Sequence, residues 1–501
     1  MSFMKITEEL LNKTLTENGD LAFRSSLSPC LDFFALVGGK REDLKGLSSL
    51  FIRAYCEDRA TALKILFYTR DIRGGLGERK ITRFLLNYLA NISPKVVEQM
   101  IPLIPEYGRF DDLFVLLGTE AENALLDYLQ KQLSEDLLNK KAGKSISLLG
   151  KWMPSINTSN EEARQTALYL ANRLNMTNAE YRKTLSFLRK GMIIENNLRV
   201  KQYDFDYATV PGGAMSKYNE AFGRNDGERF ALYLSRVKSG VSKMNVDTMD
   251  VVHLVKRVVF ADTKEKENFF ETAWNKIVGD TNLDRRTLVV RDGSGSMTVG
   301  DSYTSPLEVA NAMTLLTAER LSGEFHNKFI TFSKYPELVD LTDCKTLREK
   351  ALKLRSYADY ENTDIQKVYE VVLDVYRNPN FKPEDAIEQL MIVSDMEFDH
   401  LTVYEEQEKG FNKIPMKSTF EYFDEEFKKL GYKRPEVIFW NVAARDNHLP
   451  VKKDENGCKL VSGSSKNVID LVVLDKSLSP LTFMNKVLER YSFVDDLDLE
   501  V

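Results

Sequence analysis

Asp292-Gly293-Ser294-Gly295-Ser296 sets one carboxylate and two hydroxyls at alternate positions directly after the apolar run Leu288-Val289-Val290. A tight turn brings such alternate side chains together, and their oxygens form a hard donor set. That set suits Mg²⁺, which takes octahedral oxygen geometry and keeps part of its water shell. The run before it reads as a buried strand, and open α/β sheets bind ligands at the C-terminal edge of their strands. The same residues also make a plain serine-rich turn in which Asp292 or a serine caps the next helix. Two later segments bear on that choice. Thr363 stands in Asn362-Thr363-Asp364, just before a helical pattern over 364–376, and offers a third hydroxyl. Leu390-Met391-Ile392-Val393-Ser394-Asp395 is a second apolar strand that ends in an acid.

The order Asp-x-Ser-x-Ser, then Thr363, then strand-Asp395 resembles the metal-ion-dependent adhesion site of von Willebrand factor A (vWA) domains. The resemblance implies that Asp292, Ser294, Ser296, Thr363 and Asp395 hold a divalent cation, Mg²⁺ first, with Mn²⁺ and Ca²⁺ as alternatives. It also implies one open position for a carboxylate from a partner protein or another acidic ligand. Met396 departs from the pattern, since vWA domains often carry Gly there, and Glu397, Asp399 and Asp364 crowd the same loops with charge.

These turns need a sheet behind them. Ser305-Pro306-Leu307-Glu308 has a capping serine, Pro at the first helical position and Glu at the third, so a helix starts there and Gly323 ends it. Phe329–Phe332 and Glu436–Trp440 read as further strands, Phe420–Leu430 as an amphipathic helix, and Ser479-Pro480 opens a last helix to about residue 491. Strands alternating with helices predict a parallel, doubly wound sheet over 284–501. Residues 1–280 differ. Amphipathic periodicity predicts helices over 61–68, 81–90, 121–138, 161–174, 179–192 and 227–237, in an array of helical hairpins without a fixed repeat period. Pro211-Gly212-Gly213 reads as a turn between two of them.

With 43% apolar and 29% charged residues, the 501-residue chain has the composition of globular domains rather than of disorder. No run is long and apolar enough for a transmembrane span, and the start lacks a signal-like apolar region, so a cytoplasmic location and no membrane partner are expected. Cys30, Cys56, Cys344 and Cys458 are scattered and suggest neither a disulfide framework nor a zinc site. The overall charge of −6 is uneven: residues 1–280 carry 40 basic and 36 acidic side chains, residues 281–501 carry 29 and 39. A polyanion therefore prefers the first half. Its most basic stretches are Arg70, Arg73, Arg79 and Lys80, around Gly74-Gly75-Leu76-Gly77, and Arg182, Lys183, Arg189 and Lys190, beside Tyr181 and Phe187. A solvated helix face accounts for the same charges.

Tyr68-Thr69-Arg70-Asp71-Ile72-Arg73-Gly74-Gly75-Leu76-Gly77-Glu78-Arg79 resembles a signature of the TROVE module of Ro ribonucleoproteins. Those proteins join a ring of helical repeats to a C-terminal vWA domain, in the order inferred here. A closer resemblance is to an uncharacterised TROVE-related family of vWA proteins, through Lys151–Ser155, Tyr181-Arg182-Lys183, Leu188-Arg189-Lys190, Val210-Pro211, Ala214-Met215, Tyr218, Arg229-Phe230, Phe439-Trp440-Asn441 and Val461-Ser462-Gly463. The resemblance implies a multidomain α plus α/β architecture: a HEAT- or TROVE-like helical domain over 1–280 and a doubly wound, Rossmann-like vWA domain over 284–501. It further implies small structured RNA on the eight basic residues named above, without DNA sequence specificity.

Binding, rather than catalysis, is the expected role. The chain lacks H-E-x-x-H, Arg291 or Asp292 stands where a G-x-S-x-G elbow needs its first Gly, and Gly143-Lys144-Ser145 lacks the upstream Gly of a phosphate loop. Two alternatives stay open: an adaptor that binds acidic partners through the metal without RNA, and a metal-dependent phosphoester hydrolase. Trp152 and Trp440 are expected in cores or interfaces, His253 and His326 in structural roles, and the acidic end Asp495–Glu500 in solvent or docked on a basic partner.

Overall fold

The computed structural model describes residues 11–15, 21–191, 194–299, 304–333, 335–357, 365–396, 403–405, 412–414, 416–473 and 478–500. An antiparallel hairpin, β1 (Lys13–Leu15) and β2 (Leu21–Phe23), precedes a mostly helical half. Its main helices are α1 (Pro29–Leu36), α2 (Leu44–Glu57), α3 (Arg59–Arg70), α4 (Arg79–Ile92), α5 (Glu122–Lys141), α6 (Glu161–Arg173), α7 (Asn178–Arg189), α8 (Gly212–Asn225), α9 (Gly227–Lys238), α10 (Val251–Val259) and α11 (Lys264–Asp280). Short polar side chains start them. Ser28 accepts from Leu31 N with Pro29 at the first helical position, Asp58 accepts from Thr61 N, and Thr177 and Glu180 form a capping box. Each predicted helix of this half appears, extended or trimmed by a residue or a few at its ends. Pro211-Gly212-Gly213 is not a turn but the start of α8. Gly212 is buried there, where a Cβ would stand 2.4 Å from Asn245 O.

The second half is built on a six-stranded sheet of order β10-β9-β6-β3-β4-β5. Its strands are β3 (Thr287–Asp292), β4 (Lys328–Phe332), β5 (Leu338–Asp340), β6 (Gln389–Ser394), β9 (Glu436–Asn441) and β10 (Cys458–Ser462); β7 (Val403–Glu405) and β8 (Asn412–Ile414) form a separate hairpin. The helices between them are α12 (Pro306–Arg320), α13 (Leu347–Ser356), α14 (Ile365–Tyr376) and α15 (Met416–Lys429), and α16 (Asn467–Val472) and α17 (Pro480–Leu488) follow β10. The capping box Ser305–Glu308 starts α12 as its residues predict.

The sheet corrects the expectation of an all-parallel array, because β5 runs antiparallel to β4. The connection between them, 333–337, is too short for the crossover that a parallel pair requires. At the opposite edge, β10 pairs parallel with β9 after a helix-free connection over 442–457. The cover that a crossover helix would give β10 comes instead from α1 of the helical half and from α17. Phe34 of α1 meets Phe483 of α17 edge-on at 6.3 Å. The main chains nearly touch: a Cβ on Gly38 would lie 2.6 Å from Gly463 N, and one on Gly39 2.5 Å from Ala444 N. On the other side, α10 packs on α12 and α13. One apolar core therefore runs from Cys30 to Val494.

The acidic end is tied to the helical half at several points, while the side chains of Asp495, Asp496, Asp498 and Glu500 stay exposed to solvent as expected. Asp495 pairs with Lys64 at 2.7 Å, Arg59 donates to Leu499 O, and Gln99 and Asp498 exchange two hydrogen bonds of 2.9 Å. Trp440 is fully buried, with Nε1 donating to Gly463 O at 2.8 Å, as its expected core role requires. Among the described residues no helix is long and apolar enough to cross a membrane.

Candidate metal edge and basic cleft

Strands β3 and β6 run parallel with Arg291 opposite Val393, so Asp292 and Ser394 stand side by side and Asp395 follows one residue on. Both carboxylates are buried at the C-terminal edge of the sheet. Asp292 Oδ1 accepts from Ser294 N at 2.9 Å, which closes the turn, and the hydroxyl of buried Ser394 donates to Asp292 Oδ2 at 2.5 Å. Ser294 Oγ and Ser296 Oγ lie 3.0 Å apart, while buried Met297 anchors the far side of the turn. Burial, followed by the charge of Asp395, pushes the Asp292 carboxyl up to about 6. Arg445, in the loop after β9, brings its Nη2 to 3.0 Å from Asp395 Oδ2.

Four of the five expected metal ligands thus fall at one edge. Thr363 lies outside the described residues, as do Asp364, Glu397 and Asp399. Met396 takes φ +66°, a left-handed conformation that glycine adopts freely, so the loop keeps the shape that Gly would favour although the residue differs. Among the described residues no three His, Cys, Asp or Glu side chains cluster as a metal site. The oxygens at this edge are the carboxylates of Asp292 and Asp395 and the hydroxyls of Ser294, Ser296 and Ser394.

The basic residues divide. Arg70 is buried and paired with Asp112 at 2.7 Å, and Arg189 donates to Gly150 O at 2.8 Å, to Ser155 Oγ at 2.6 Å and to Met153 O. Both therefore serve the interior of the helical half, which corrects their placement on an outer basic face. Arg73, Arg79, Lys80, Arg182, Lys183 and Lys190 are exposed. Of these, Arg73 Nη1 donates to Glu106 O at 2.9 Å and Lys80 lies 3.3 Å from Glu42.

A cleft of about 840 Å³ opens between the helical half and the Ser464–Asn467 turn that follows β10. Its walls come from positions as far apart as Arg41 and Asn467 and include the cations Arg41, Arg109, Lys151, Lys217 and Lys466. Glu78, Glu195, Asp247 and Asp250 also reach it. Trp152 is half-buried on the wall, with the Arg109 guanidinium 4.6 Å and the Lys151 ammonium 5.4 Å from its ring centroid. Lys217 lies 4.8 Å from the centroid of Tyr218, whose hydroxyl donates to Glu195 at 2.8 Å. Burial holds the Arg109 guanidinium below its usual range, and the nearby charges of Arg70 and Arg79 act in the same direction.

A model for a family described as a domain of unknown function, DUF2828, matches residues 16–132 and 123–285, more than half of the chain. The chain belongs to the DUF2828 family. A second model, also described as a domain of unknown function, DUF7788, matches residues 286–487. Uncharacterized protein L728 of Acanthamoeba polyphaga mimivirus is 29% identical over 96% of this chain and 88% of its own length. The crystal structure of Deinococcus radiodurans RO (RSR) protein is similar at a TM-score of 0.43 and 16% identity, over 90% of this chain and 99% of that one.

In this DUF2828 member the Tyr68–Arg79 segment joins the two halves of the chain. Gly75 O accepts from Ser465 Oγ at 3.0 Å and from Asn467 Nδ2 at 2.9 Å, and Gly463 packs on Leu76. Buried Asp71 accepts from Tyr491 OH at 3.0 Å and pairs with Arg490 at 3.2 Å. Tyr491→Phe is expected to lower stability by about 1.5–3 kcal/mol, the cost of one buried hydrogen bond to a charged group. The urea midpoint would report it, and an unchanged midpoint would show that Asp71 is held without the phenol.

Arg445, Ser394, Arg109 and Trp152 are the residues whose roles the sequence reading missed. For Arg445 the signal lies in the pairing: it follows β9, the neighbour of β6, whose end leads into Asp395, so a charge there reaches the same edge. For Arg109 no local signal exists, because its neighbours in the cleft come from distant positions.

Proposed function

We propose that this chain is a non-catalytic RNA-binding scaffold. The observation that carries the reading is the cleft. It joins an aromatic ring flanked by two cations to further lysines along one concave surface, the combination that takes single-stranded nucleic acid by stacking and charge. The likeness of its motifs to TROVE proteins points the same way. Exposed Arg182, Lys183 and Lys190 would add sequence-independent phosphate contacts on the outside of α7.

The test is direct: purify the full chain at moderate salt, sequence any co-purifying RNA, and titrate that RNA back at several salt concentrations. Trp152→Ala is expected to weaken binding by roughly tenfold or more, the loss of one base–aromatic stack. Reversal of Arg182 and Lys183 to Glu should weaken it further and flatten the salt dependence. Protein free of RNA, or affinity indifferent to all three changes, overturns the reading.

A second reading rests on the sheet edge. We propose that the second half is a vWA-type module in which Asp292, Ser294, Ser296 and Asp395 hold a divalent cation, with Mg²⁺ fitting the all-oxygen donor set best. The buried, mutually repelling carboxylates support this, because a cation relieves a charge that the fold otherwise leaves costly. The bound cation would supply a Lewis-acidic point for an acidic ligand, while the protein orients the oxygens and excludes bulk water. Partner capture that chelator abolishes and that Arg182/Lys183 reversal leaves intact would make this the main activity and the chain a protein adaptor.

A further inference from the structure

We infer that the cleft selects a phosphomonoester, the terminal phosphate of a nucleotide, and that Arg109 is the residue that reads it. The inference rests on the nucleic-acid reading of the cleft and adds to it which part of a strand the cleft takes.

Arg109 has no ion pair of its own among the described residues. The two acids that follow it closely in sequence are engaged by other arginines: Asp112 pairs with Arg70 and with Arg83, each at 2.7 Å, and Asp111 pairs with Arg83 at 2.8 Å. The Arg109 guanidinium instead lies 4.6 Å from the centroid of the Trp152 ring, and the Lys151 ammonium, also without an ion pair among the described residues, lies 5.4 Å from the same centroid. All three side chains are half-buried. Burial disfavours the charge of Arg109, Arg70 and Arg79 add to that, and Asp111 and Asp112 offset part of it. An anion beside the ring relieves the remaining cost, and the planar fork of a guanidinium holds two phosphate oxygens at once.

The rest of the wall limits what else enters. Arg41 Nε donates to Glu78 at 2.8 Å, so these two charges cancel. Glu195, Asp247 and Asp250 are exposed on the same cleft and outnumber the remaining lysines, Lys217 and Lys466, so a run of phosphodiesters laid along it meets like charge. Where Leu76 and Gly77 meet Ser465 and Asn467 on the wall, the two halves are bonded through Gly75 O, and a strand cannot leave between them. The volume of about 840 Å³ falls among small-ligand sites, roughly 300–1,000 Å³. One base against Trp152 with one phosphate on Arg109 and Lys151 meets all these limits. A monoester suits two unpaired cations better than a diester, because it carries about −1.5 to −2 charge at neutral pH. A phosphorylated strand end and a free mononucleotide share this chemistry.

The experiment follows the intrinsic fluorescence of the full-length protein. Trp274 and Trp440 are fully buried, so quenching by a ligand reports Trp152, and its loss in Trp152→Phe checks the assignment. The probes are a short oligouridylate with a 5′-phosphate, with a 3′-phosphate or with hydroxyls at both ends, and free uridine monophosphate. At least one phosphorylated oligonucleotide is expected to bind about tenfold more tightly than the hydroxyl-ended one, the gain from charge-assisted hydrogen bonds. Arg109→Gln should bring the two to nearly equal affinity, and Lys151→Gln, at a less buried cation pair partner, should reduce the preference if the first variant folds poorly. Uridine monophosphate binding as tightly as the phosphorylated strand supports phosphomonoester selection and assigns the site to free nucleotides. Quenching that is equal for phosphorylated and hydroxyl-ended strands overturns the selection and leaves RNA binding standing. A preference unchanged in both variants overturns the role of Arg109, and no quenching by any probe overturns the nucleic-acid reading of the cleft as well.

Discussion

Gly38→Ala is expected to lower the stability of the whole chain by about 3 kcal/mol, the upper range for forced overpacking. The added methyl would sit 2.6 Å from Gly463 N and 2.7 Å from Ser462 C, so it meets main chain and no flexible side chain can yield. Relief requires α1 to lift away from β10, which also strains the bond from Gly38 N to Ser462 Oγ at 3.0 Å. Gly223→Ala is the matched control. It lies inside α8 with nothing within 4 Å of its Cβ, and alanine there should stabilise by about 0.5–1 kcal/mol. Urea midpoints of the two variants, with hydrogen exchange in β10, decide the matter. If both variants change stability alike, the close approach of α1 and β10 is not a constraint on the fold.

Asp292→Asn is expected to act with opposite signs in chelator and in Mg²⁺. In chelator the wild type holds a carboxylate buried beside Asp395, with its carboxyl pushed up to about 6, so the charge it still carries at neutral pH costs folded-state stability. A neutral amide of the same shape should raise stability by about 2 kcal/mol. In excess Mg²⁺ the wild type gains the free energy of ligation and the variant does not, so the order of melting temperatures reverses. Thermal melts in the two buffers read this directly. A variant less stable than wild type in both would mean that Asp292 acts as a structural hydrogen-bond acceptor for Ser294 N and Ser394 Oγ and that the cation plays no part.

Local chemistry was legible from the residues. The capping serine, proline and glutamate at 305–308 start α12, and the apolar runs at 288–290, 329–332, 390–394 and 436–440 are strands. What is set by distant partners was not. Strand β10 reads Cys-Lys-Leu-Val-Ser, whose lysine argues against a buried strand; its ammonium is satisfied by Val472 O at 2.7 Å in a contact no periodicity reveals. Helix α1 is buried on nearly every side because it serves as the cover of that strand, so it shows no amphipathic face. The same holds for the site. Asp292 and Asp395 were found because strand ends are recognisable, whereas Arg70 and Arg189 looked available because a sequence does not show the acid or the carbonyls that engage them.

The bonds that close the two halves span most of the chain: Gly38 to Ser462 is 424 residues, Tyr491 to Asp71 is 420, and Lys64 to Asp495 is 431. During synthesis α1 and α3 therefore leave the ribosome tens of seconds before the strand and the tail that cover them exist, at ordinary elongation rates. Phe34, which meets Phe483 of α17, lacks that part of its cover for the interval. Contacts of such sequence separation also slow the final closure after release. The first half of the nascent chain thus exposes an apolar face that only the last-made elements cover.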